Sequence, residues 1–462
     1  MSTSRTAPID HLTSARLVDL VLACQYADLP QEAVAATKVF LADTLTVGVA
    51  GTCAGSAQKA FDAARSWGQG GQVGGQVRVL GHPGAQLSPH AAAFVNGQHI
   101  HCLEWDALHE HSVVIALCVT TGALISELET RQISGDALIT ALGVAVETSV
   151  FFAAASTAAP RFFRPAVAGL MGAVLAVAKV RGYGRMQMLD TLGLAYAQAG
   201  GNMQAHWEGS AALALQVGFA ARAALTAADL VMSGLTGPHD VVDGKFGYFT
   251  LIETADDVDK TLDNWGKPWK ITEMAHKPFP AGRATQAVLT ALMDMRAETD
   301  FSAADVDALE THVPSLIKLL VDRPFRPDMS PGYARLCLEA VASAYLQDGW
   351  VDPRRFSEGG FDDAAWQALS QRVSLTQDDN PDPNAMAPQT VTLRLKDGRR
   401  FVRQVPAPLG APDRPLDRAA QLEKARTCFK VAGYDGDADA LFAAIDALER
   451  ASDARHILDF VT

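Results

Sequence analysis

Long stretches of the chain repeat apolar residues at intervals of three and four, the spacing that places them on one face of an α-helix. The first, LTSARLVDLVLACQYADL, begins at Leu12, and PQEAVAATKVFLADTLTVGVAG follows from Pro30, a residue well suited to a helix start. Alanine-rich stretches of the same kind run from Gly135 to Met232. The pattern therefore predicts that residues 8–268 are mostly helical.

The spacing changes near residue 270. VDALETHVPSLIKLL, from Val306, begins like a strand, and TVTLRLKDGRRFVRQV alternates on both sides of Asp397-Gly398, which predicts a β-hairpin. The last segment, from Leu416, returns to helical spacing. We therefore predict a mainly α fold with a ligand cleft between two domains. They are a large helical domain formed by both chain ends (1–268 and 409–462) and a smaller inserted α/β domain (269–408).

Composition and charge narrow the class of protein. The net charge of −13 argues against nucleic-acid and anionic-membrane partners. Six scattered cysteines without a CxxC pair argue against a zinc ribbon, an iron–sulfur cluster and a disulfide framework. A glycine-rich loop at 66–85 lacks a strand–GxGxxG–helix context, so phosphate binding there is a weak hypothesis. Because the N-terminus lacks the apolar core of a signal peptide, we expect a cytoplasmic protein.

The segment HCLEWDALHEH, residues 101–111, concentrates three histidines, two glutamates and one aspartate. On an ideal helix His101, Glu104 and His111 would cluster around Leu108, and Asp106 would point elsewhere. Such groups can bind zinc or iron, but the spacing is not HExxH. Acid/base chemistry suits imidazoles beside carboxylates better, and a polar helix end with satisfied hydrogen bonds is the alternative.

Several motifs together resemble the MmgE/PrpD family. AAFVNGQHIHCLEWDALHEH is similar to the family signature, in which VNG precedes H-x-x-D-F-D-D-T and a later His-Pro. The other matching segments, in chain order, are LADTLTVGVAGT, RFFRPAVAGLMGAVLAVAKVRGYG, GSAALALQVGFAARAALTAADLVMSGLTGP, HKPFPAGRATQAV and APLGAPDRPLDRAAQLEKARTCF. Their order and spacing, from residue 41 to residue 429, carry the resemblance.

The resemblance implies a helical domain and a smaller α/β domain, an active site in the cleft, a homodimer, and no metal or organic cofactor. Activities known in the family are 2-methylcitrate dehydratase, cis-aconitate decarboxylase and iminodisuccinate epimerase. All of them move a proton at a carbon next to a carboxylate. That step requires a base, an acid and cationic groups that hold the carboxylates.

The family's functional residues are partly retained. His101, Asp106, His111 and Lys277 stand where the family has the same residue types, and Glu104 replaces an aspartate. By resemblance we predict His111 as the proton-transfer residue, Lys277 as the carboxylate ligand or opposing acid, and Asp106 as a third catalytic group. A capping histidine, a surface lysine and a structural carboxylate are the alternatives. Residues predicted to bind substrate or to position the catalytic groups are His101, Glu104, Arg164, His206, Ser210 and Arg283.

Other family positions have lost polar groups. The replacements are Leu108, Phe163, Leu213, Gln216 and Gln286. Each lost charge-assisted hydrogen bond would weaken binding by roughly 1.5–3 kcal/mol. We therefore expect a substrate other than 2-methylcitrate, with fewer carboxylates or with an apolar or amide arm. The predicted function is a cofactor-independent lyase, a dehydratase or decarboxylase, acting on a small carboxylic acid. The alternatives are an epimerase or isomerase of a small dicarboxylate, and a non-catalytic ligand-binding descendant.

Overall fold

The computed structural model describes residues 8–67, 77–156, 159–255, 257–357 and 359–462. Positions 68–76, on which the phosphate-binding hypothesis for the glycine-rich loop mainly rests, lie outside the described residues. Within the described ranges the chain is mainly α-helical, as its apolar spacing predicted.

The helices before residue 268 form most of a large helical body. They are α1 (Thr13–Ala23), α2 (Gln31–Gly51), α3 (Gly55–Ser66), α4 (Pro89–His101), α5 (Ala116–Thr130), α6 (Gly135–Ala154), α7 (Arg164–Val180), α8 (Arg185–Tyr196), α9 (Gln204–Glu208), α10 (Ala212–Met232), α11 (Tyr248–Leu251) and α12 (Val258–Asp263). Short two-stranded pairings accompany them. These are β1 (Val77–Arg78) with β2 (Gln86–Leu87), and β3 (Leu108–His109) with β4 (Met274–Ala275), both antiparallel.

A four-stranded sheet and further helices follow. The strands are β5 (Val306–Val313), β6 (Val373–Gln377), β7 (Gln389–Leu395) and β8 (Arg400–Val405), in the spatial order β6-β5-β7-β8. β5 and β6 are parallel and the other neighbours antiparallel, so β7 and β8 form the predicted hairpin. The helices are α13 (Gln286–Glu298), α14 (Ser315–Val321), α15 (Pro331–Arg335), α16 (Leu338–Asp348), α17 (Ala364–Ser370), α18 (Arg418–Ala432) and α19 (Ala438–Asp446).

Two large hydrophobic cores lie in different parts of the chain. One joins buried residues between Leu12 and Ala275 with those between Ala425 and Val461, so the C-terminal helices complete the helical body. The other lies between Phe279 and Val405, where α13 and α16 pack against the sheet. The domain boundaries at 268 and 408 stay a prediction.

Helix α4 lies at the centre of the helical body, packed against α2, α5 and α10. Close approach depends on glycine: a Cβ at Gly122 of α5 would lie 2.8 Å from the backbone nitrogen of Gly97. Side chains at the two positions would push the helices apart. The close packing fixes the end of α4, where the histidine-rich segment begins.

Three helices are long and apolar enough to cross a membrane by length and composition alone. They are α2, α6 and α10, and 72%, 89% and 56% of their most apolar windows are buried inside the fold.

Candidate functional site

The VNG motif anchors the helix that leads into the site. Asn96 accepts a hydrogen bond from the backbone nitrogen of Leu80 at 2.9 Å, and its amide donates to the carbonyl of Arg78 at 3.4 Å. These bonds tie α4 to the chain segment that contains β1. The helix then ends at His101, so this histidine is held at a fixed end of a buried helix.

The backbone turns sharply after His101, which corrects the prediction of a continuous helical face. Glu104 has a φ of 55°, in the left-handed region that costs a non-glycine residue about 1–2 kcal/mol. This turn brings Asp106 back to His101, although an ideal helix would point it elsewhere. Backbone strain of this kind is characteristic of functional sites.

The strand pair β3–β4 brings a distant lysine to this turn. Leu108 pairs with Ala275, and Trp105 donates its indole N–H to the carbonyl of Pro278 at 3.1 Å. Lys277 lies between these two anchors in the sequence. Its side chain is therefore held beside the carboxylates of the 101–111 segment.

Four buried ionisable groups form a closed arrangement, which we call the ion ring (His101, Glu104, Asp106 and Lys277). His101 Nδ1 lies 2.9 Å from Asp106 Oδ2, and its Nε2 lies 3.2 Å from Glu104 Oε1. Lys277 Nζ lies 3.3 Å from both Glu104 Oε2 and Asp106 Oδ1. Two positive and two negative groups thus alternate, which offsets the cost of burying them.

The ring keeps both of its nitrogen groups protonated. Burial opposes the charge on His101, but Asp106 and Glu104 outweigh it and raise the pKa of the imidazole to about 10. Burial likewise opposes the charge on Lys277, and the same carboxylates raise its pKa. Burial favours the neutral carboxyls, but His101 and Lys277 lower the pKa of both Glu104 and Asp106. At neutral pH the ring offers two cationic acids and two weakly basic carboxylates.

A cavity, here called the first chamber, opens above the ring. The cavity and its mouth take up about 640 Å³. Its polar lining comes from His101, Glu104, Lys277, His206, Arg164 and Arg283. Its apolar lining includes Leu108, Val113, Ile115, Phe163, Met203, Leu320, Val321, Leu336 and Met386. A pocket with a few convergent polar groups on an apolar wall suits a small acid.

His206 faces the first chamber as a neutral imidazole. Burial, and then the charge of Arg323, lower its pKa to about 4. Arg323 Nη2 lies 3.3 Å from His206 Nδ1 and donates to it, so the proton of the neutral ring is assigned to Nε2. His206 is therefore a hydrogen-bond donor at neutral pH.

The two arginines among the residues predicted to bind substrate or to position the catalytic groups differ in their pairing. Arg164 donates from Nε to Glu253 at 2.7 Å, and both side chains are buried, so its charge is neutralised. Arg283 donates from Nε to Glu110 at 2.6 Å and from Nη1 to the carbonyl of His276 at 2.8 Å. Its Nη2 is buried without a hydrogen-bond partner among the described residues. Arg283 is thus better placed to bind a substrate carboxylate.

Three of the sequence-predicted residues, Asp106, His111 and Ser210, do not line the first chamber, and of these only Asp106 belongs to the ion ring. His111 is exposed, with its ring 6.2 Å from that of His109. Ser210 lines a neighbouring chamber instead. The predicted roles of His111 and Ser210 stay predictions, whereas His101, Glu104, Asp106 and Lys277 lie together.

The substituted family positions have separate structural roles. Leu108 and Phe163 belong to the apolar wall, and the Phe163 ring lies 5.5 Å from that of His101. Gln286 is buried and donates to the carbonyls of Phe279 and Ala281 at 3.0 Å. It therefore fixes the loop after Lys277. Leu213 lines the neighbouring chamber, and Gln216 lies outside both chambers, where it accepts a hydrogen bond from Asn202.

Two residues of the ion ring, together with Cys118, form a cluster of side chains that could bind a metal ion. Ligand atoms of His101, Asp106 and Cys118 lie within 4.8 Å of one another. His101 is already bonded to Asp106, and the other Asp106 oxygen contacts Lys277. Burial, and then Asp106, raise the pKa of the Cys118 thiol well above its ordinary value, whereas metals bind the thiolate. These residues therefore do not fit a metal ion.

Sequence reasoning missed the ion partners that set the charge of the site. The charge of Arg164 is set by Glu253, and that of Arg283 by Glu110. The pKa of His206 is lowered in part by Arg323. Each partner is remote in sequence from the residue it contacts. Spacing and motifs carry no signal for such pairs. Arg335 was missed too, although it is the one cation in the apolar segment ARLCLEAVASAY, a position that indicates a buried charge.

Comparisons with known proteins agree with this architecture. The model of the MmgE/PrpD N-terminal domain matches residues 15–261, and that of the C-terminal domain matches residues 279–449. A human protein named cis-aconitate decarboxylase is 27% identical over 409 residues, which cover 84% of this chain and 82% of that protein. The mouse protein of the same name is 27% identical over 366 residues (75% and 73%). An Aspergillus terreus protein, also named cis-aconitate decarboxylase, is 24% identical over 434 residues (87% and 86%).

Proposed function

Because this chain belongs to the MmgE/PrpD family, we propose that it is a cofactor-independent lyase that decarboxylates a small carboxylic acid. The observation that carries the proposal is the ion ring, in which Lys277 and His101 are held as protonated acids beside the first chamber. Decarboxylation needs an acid that protonates carbon more than it needs a strong base. The three relatives named cis-aconitate decarboxylase support the same reaction type.

The residues divide the work as follows. Arg283 Nη2 orients the reacting end of the substrate through a hydrogen bond. The carboxylate that leaves lies against the apolar wall, near Phe163 and Val321. The wall gives this charged group no hydration, which favours its conversion to neutral carbon dioxide. The bond between the leaving carboxyl carbon and its neighbouring carbon breaks. The electron pair stays on that neighbouring carbon, next to a conjugated carboxylate. Lys277 or His101 then donates a proton to that carbon and is reprotonated from solvent.

The apolar wall also bears on the choice of substrate. Leu108 and Phe163 stand where the family signature has polar groups, and both face the first chamber. A carboxylate that stays on the product would remain desolvated there without a partner, whereas the leaving carboxylate loses its charge as carbon dioxide. The proposed substrate therefore has an apolar arm or fewer carboxylates than 2-methylcitrate.

The test is proton NMR in D₂O with purified protein and a panel of small acids that includes cis-aconitate, 2-methylcitrate, malate, tartrate and iminodisuccinate. We expect carbon dioxide release and one deuterium at the protonated product carbon. Lys277→Met should reduce the rate by about 10²–10⁴-fold. The matched control is Lys318→Met, which removes an exposed lysine already paired with Asp322.

Other outcomes of this experiment are equally informative. A product formed by water loss would identify a dehydratase, and α-proton exchange with inversion would identify an epimerase. Tight binding with no turnover of any acid would identify a non-catalytic ligand-binding protein. Each of these results would contradict decarboxylation.

A further inference from the structure

A second, more polar cavity adjoins the first chamber, and we call it the Arg335 chamber. His101 and Glu104 line both cavities, so they meet at the ion ring. The other lining residues include Ser56, Lys59, Ser210, Leu213, Ser330, Arg335, Arg354, Phe356 and Ser357. Of the described residues that line it, only Glu104 is acidic, and Glu104 is already paired with His101 and Lys277.

Arg335 is a buried cation that has no counter-ion among the described residues. Its exposed fraction is 3%, and it forms no ion pair with an acidic side chain in the described parts of the chain. Its Nη2 donates weakly, at 3.3 Å, to the carbonyls of Pro353 and Phe356, and its Nε has no hydrogen-bond partner within the described ranges. Burial lowers the pKa of this guanidinium from its ordinary value, a sign of incomplete compensation.

Two other buried arginines at the site have carboxylate partners. Arg164 is paired with Glu253, and Arg283 with Glu110. A buried charge is usually paired because an uncompensated one is costly. Arg354, which also lines the Arg335 chamber, is paired with Asp352 at 2.6 Å. Among the described residues Arg335 has no carboxylate partner, and neither has Arg323. The guanidinium of Arg323, however, donates to His206 and to two carbonyls, whereas the Nε of Arg335 is buried without a hydrogen-bond partner in the described part of the chain.

We propose that Arg335 binds the distal carboxylate of a dicarboxylic substrate whose reacting end lies in the first chamber. The planar guanidinium matches a carboxylate, and the unbonded Nε supplies a donor for it. The position of the reacting end rests on the proposed function. The substrate then spans both chambers past the ion ring, with Arg283 at one end and Arg335 at the other.

The experiment measures binding and needs no turnover. Linear saturated dicarboxylates of four to seven carbons, and the monocarboxylates of equal length, are titrated calorimetrically into wild type, Arg335→Met and Arg335→Lys. One dicarboxylate length should bind wild type at least 10-fold more tightly than its monocarboxylate. Arg335→Met should lose this 10- to 100-fold preference, the value of one charge-assisted hydrogen bond. Arg335→Lys should keep part of it, because it retains the charge but not the planar fork.

Controls separate this proposal from the proposed function. Lys277→Met tests the proposed function through turnover, whereas the Arg335 variants test binding. A protein that decarboxylates no acid can therefore still show the preference for dicarboxylates that depends on Arg335. Arg426→Gln, which removes an exposed arginine paired with Asp439, should leave the preference unchanged. Thermal unfolding confirms that each variant is folded.

Two kinds of result would overturn the proposal. The first is the lack of a preference that depends on Arg335, seen either as an equal affinity of wild type for dicarboxylates and monocarboxylates or as a preference that survives in Arg335→Met. The other is inorganic phosphate that binds wild type but not Arg335→Met, without any preference for dicarboxylates. That result would assign the chamber to a separate anion.

Discussion

The ammonium Nζ of Lys277 lies 3.3 Å from Oε2 of Glu104, although 173 positions separate the two residues along the chain. Lys277 is fully buried, and the Glu104 backbone is held in a left-handed conformation that directs its carboxylate to this contact. The pair therefore joins the α4 segment to the loop after β4 at the centre of the candidate site.

Lys277→Met should destabilise the fold by about 3–5 kcal/mol, because it leaves the Glu104 and Asp106 carboxylates buried with one cation between them. The double variant Lys277→Met/Glu104→Gln should recover part of this loss, since one charge of each sign is then removed. Both variants should be inactive. Urea unfolding measures the free energies of unfolding. Equal stability of the single and double variants would show that the ion ring is not a coupled unit.

His101→Asn should abolish activity, and His111→Asn should retain most of it. His101 contacts both ring carboxylates, whereas His111 is exposed and does not line the first chamber. Steady-state rates of the two variants show which of the two histidines is required for activity. Loss of activity in His111→Asn alone would identify His111 as the proton-transfer residue, as the family resemblance predicted.

The activity should stay constant as pH rises from 6 to about 9. It should fall only as His101 loses its proton near its raised pKa of about 10. A neutral histidine acting as base would instead produce a fall of kcat/KM on the acid side, near the ordinary pKa of about 6.5. A profile of kcat/KM against pH distinguishes the protonated acids from a neutral histidine base. A fall of kcat/KM between pH 7 and 6 would contradict the proposed protonated acids.

The stability of the protein should decrease as pH falls from 6.5 towards 4. Burial is the largest cause that lowers the pKa of His206 and of His276 to about 4, and that of His99 to about 3. In this window the unfolded chain binds protons that the folded protein does not, so stability rises with pH by up to about 1.4 kcal/mol per pH unit for each histidine.

Urea unfolding at several pH values measures this slope. His206→Asn should reduce it, because one of the three groups is removed, and His111→Asn serves as the exposed control. An unchanged slope in His206→Asn would show that this imidazole is protonated in the folded protein.

The fold could be predicted from the sequence to a large extent, because its signals are local. Apolar spacing gave the helices, and alternation around Asp397-Gly398 gave the β7–β8 hairpin. The motif order gave the family, which two domain models confirm. The His101–Glu104 contact was also predicted, since a separation of three residues suits a helix end.

The sequence by itself thus determined the helical content, the hairpin, the family, and a set of candidate residues that includes the four members of the ion ring. Only the tertiary structure decided which candidates meet. The helix stops at His101, so Asp106 turns inward, while His111 stays at the surface. Tertiary packing also decided the pairing of charges, which leaves Arg335 without a counter-ion in the part of the chain that the structure describes. The physical reason is that burial and ion pairing depend on contacts between residues far apart in the chain, and local spacing does not encode them.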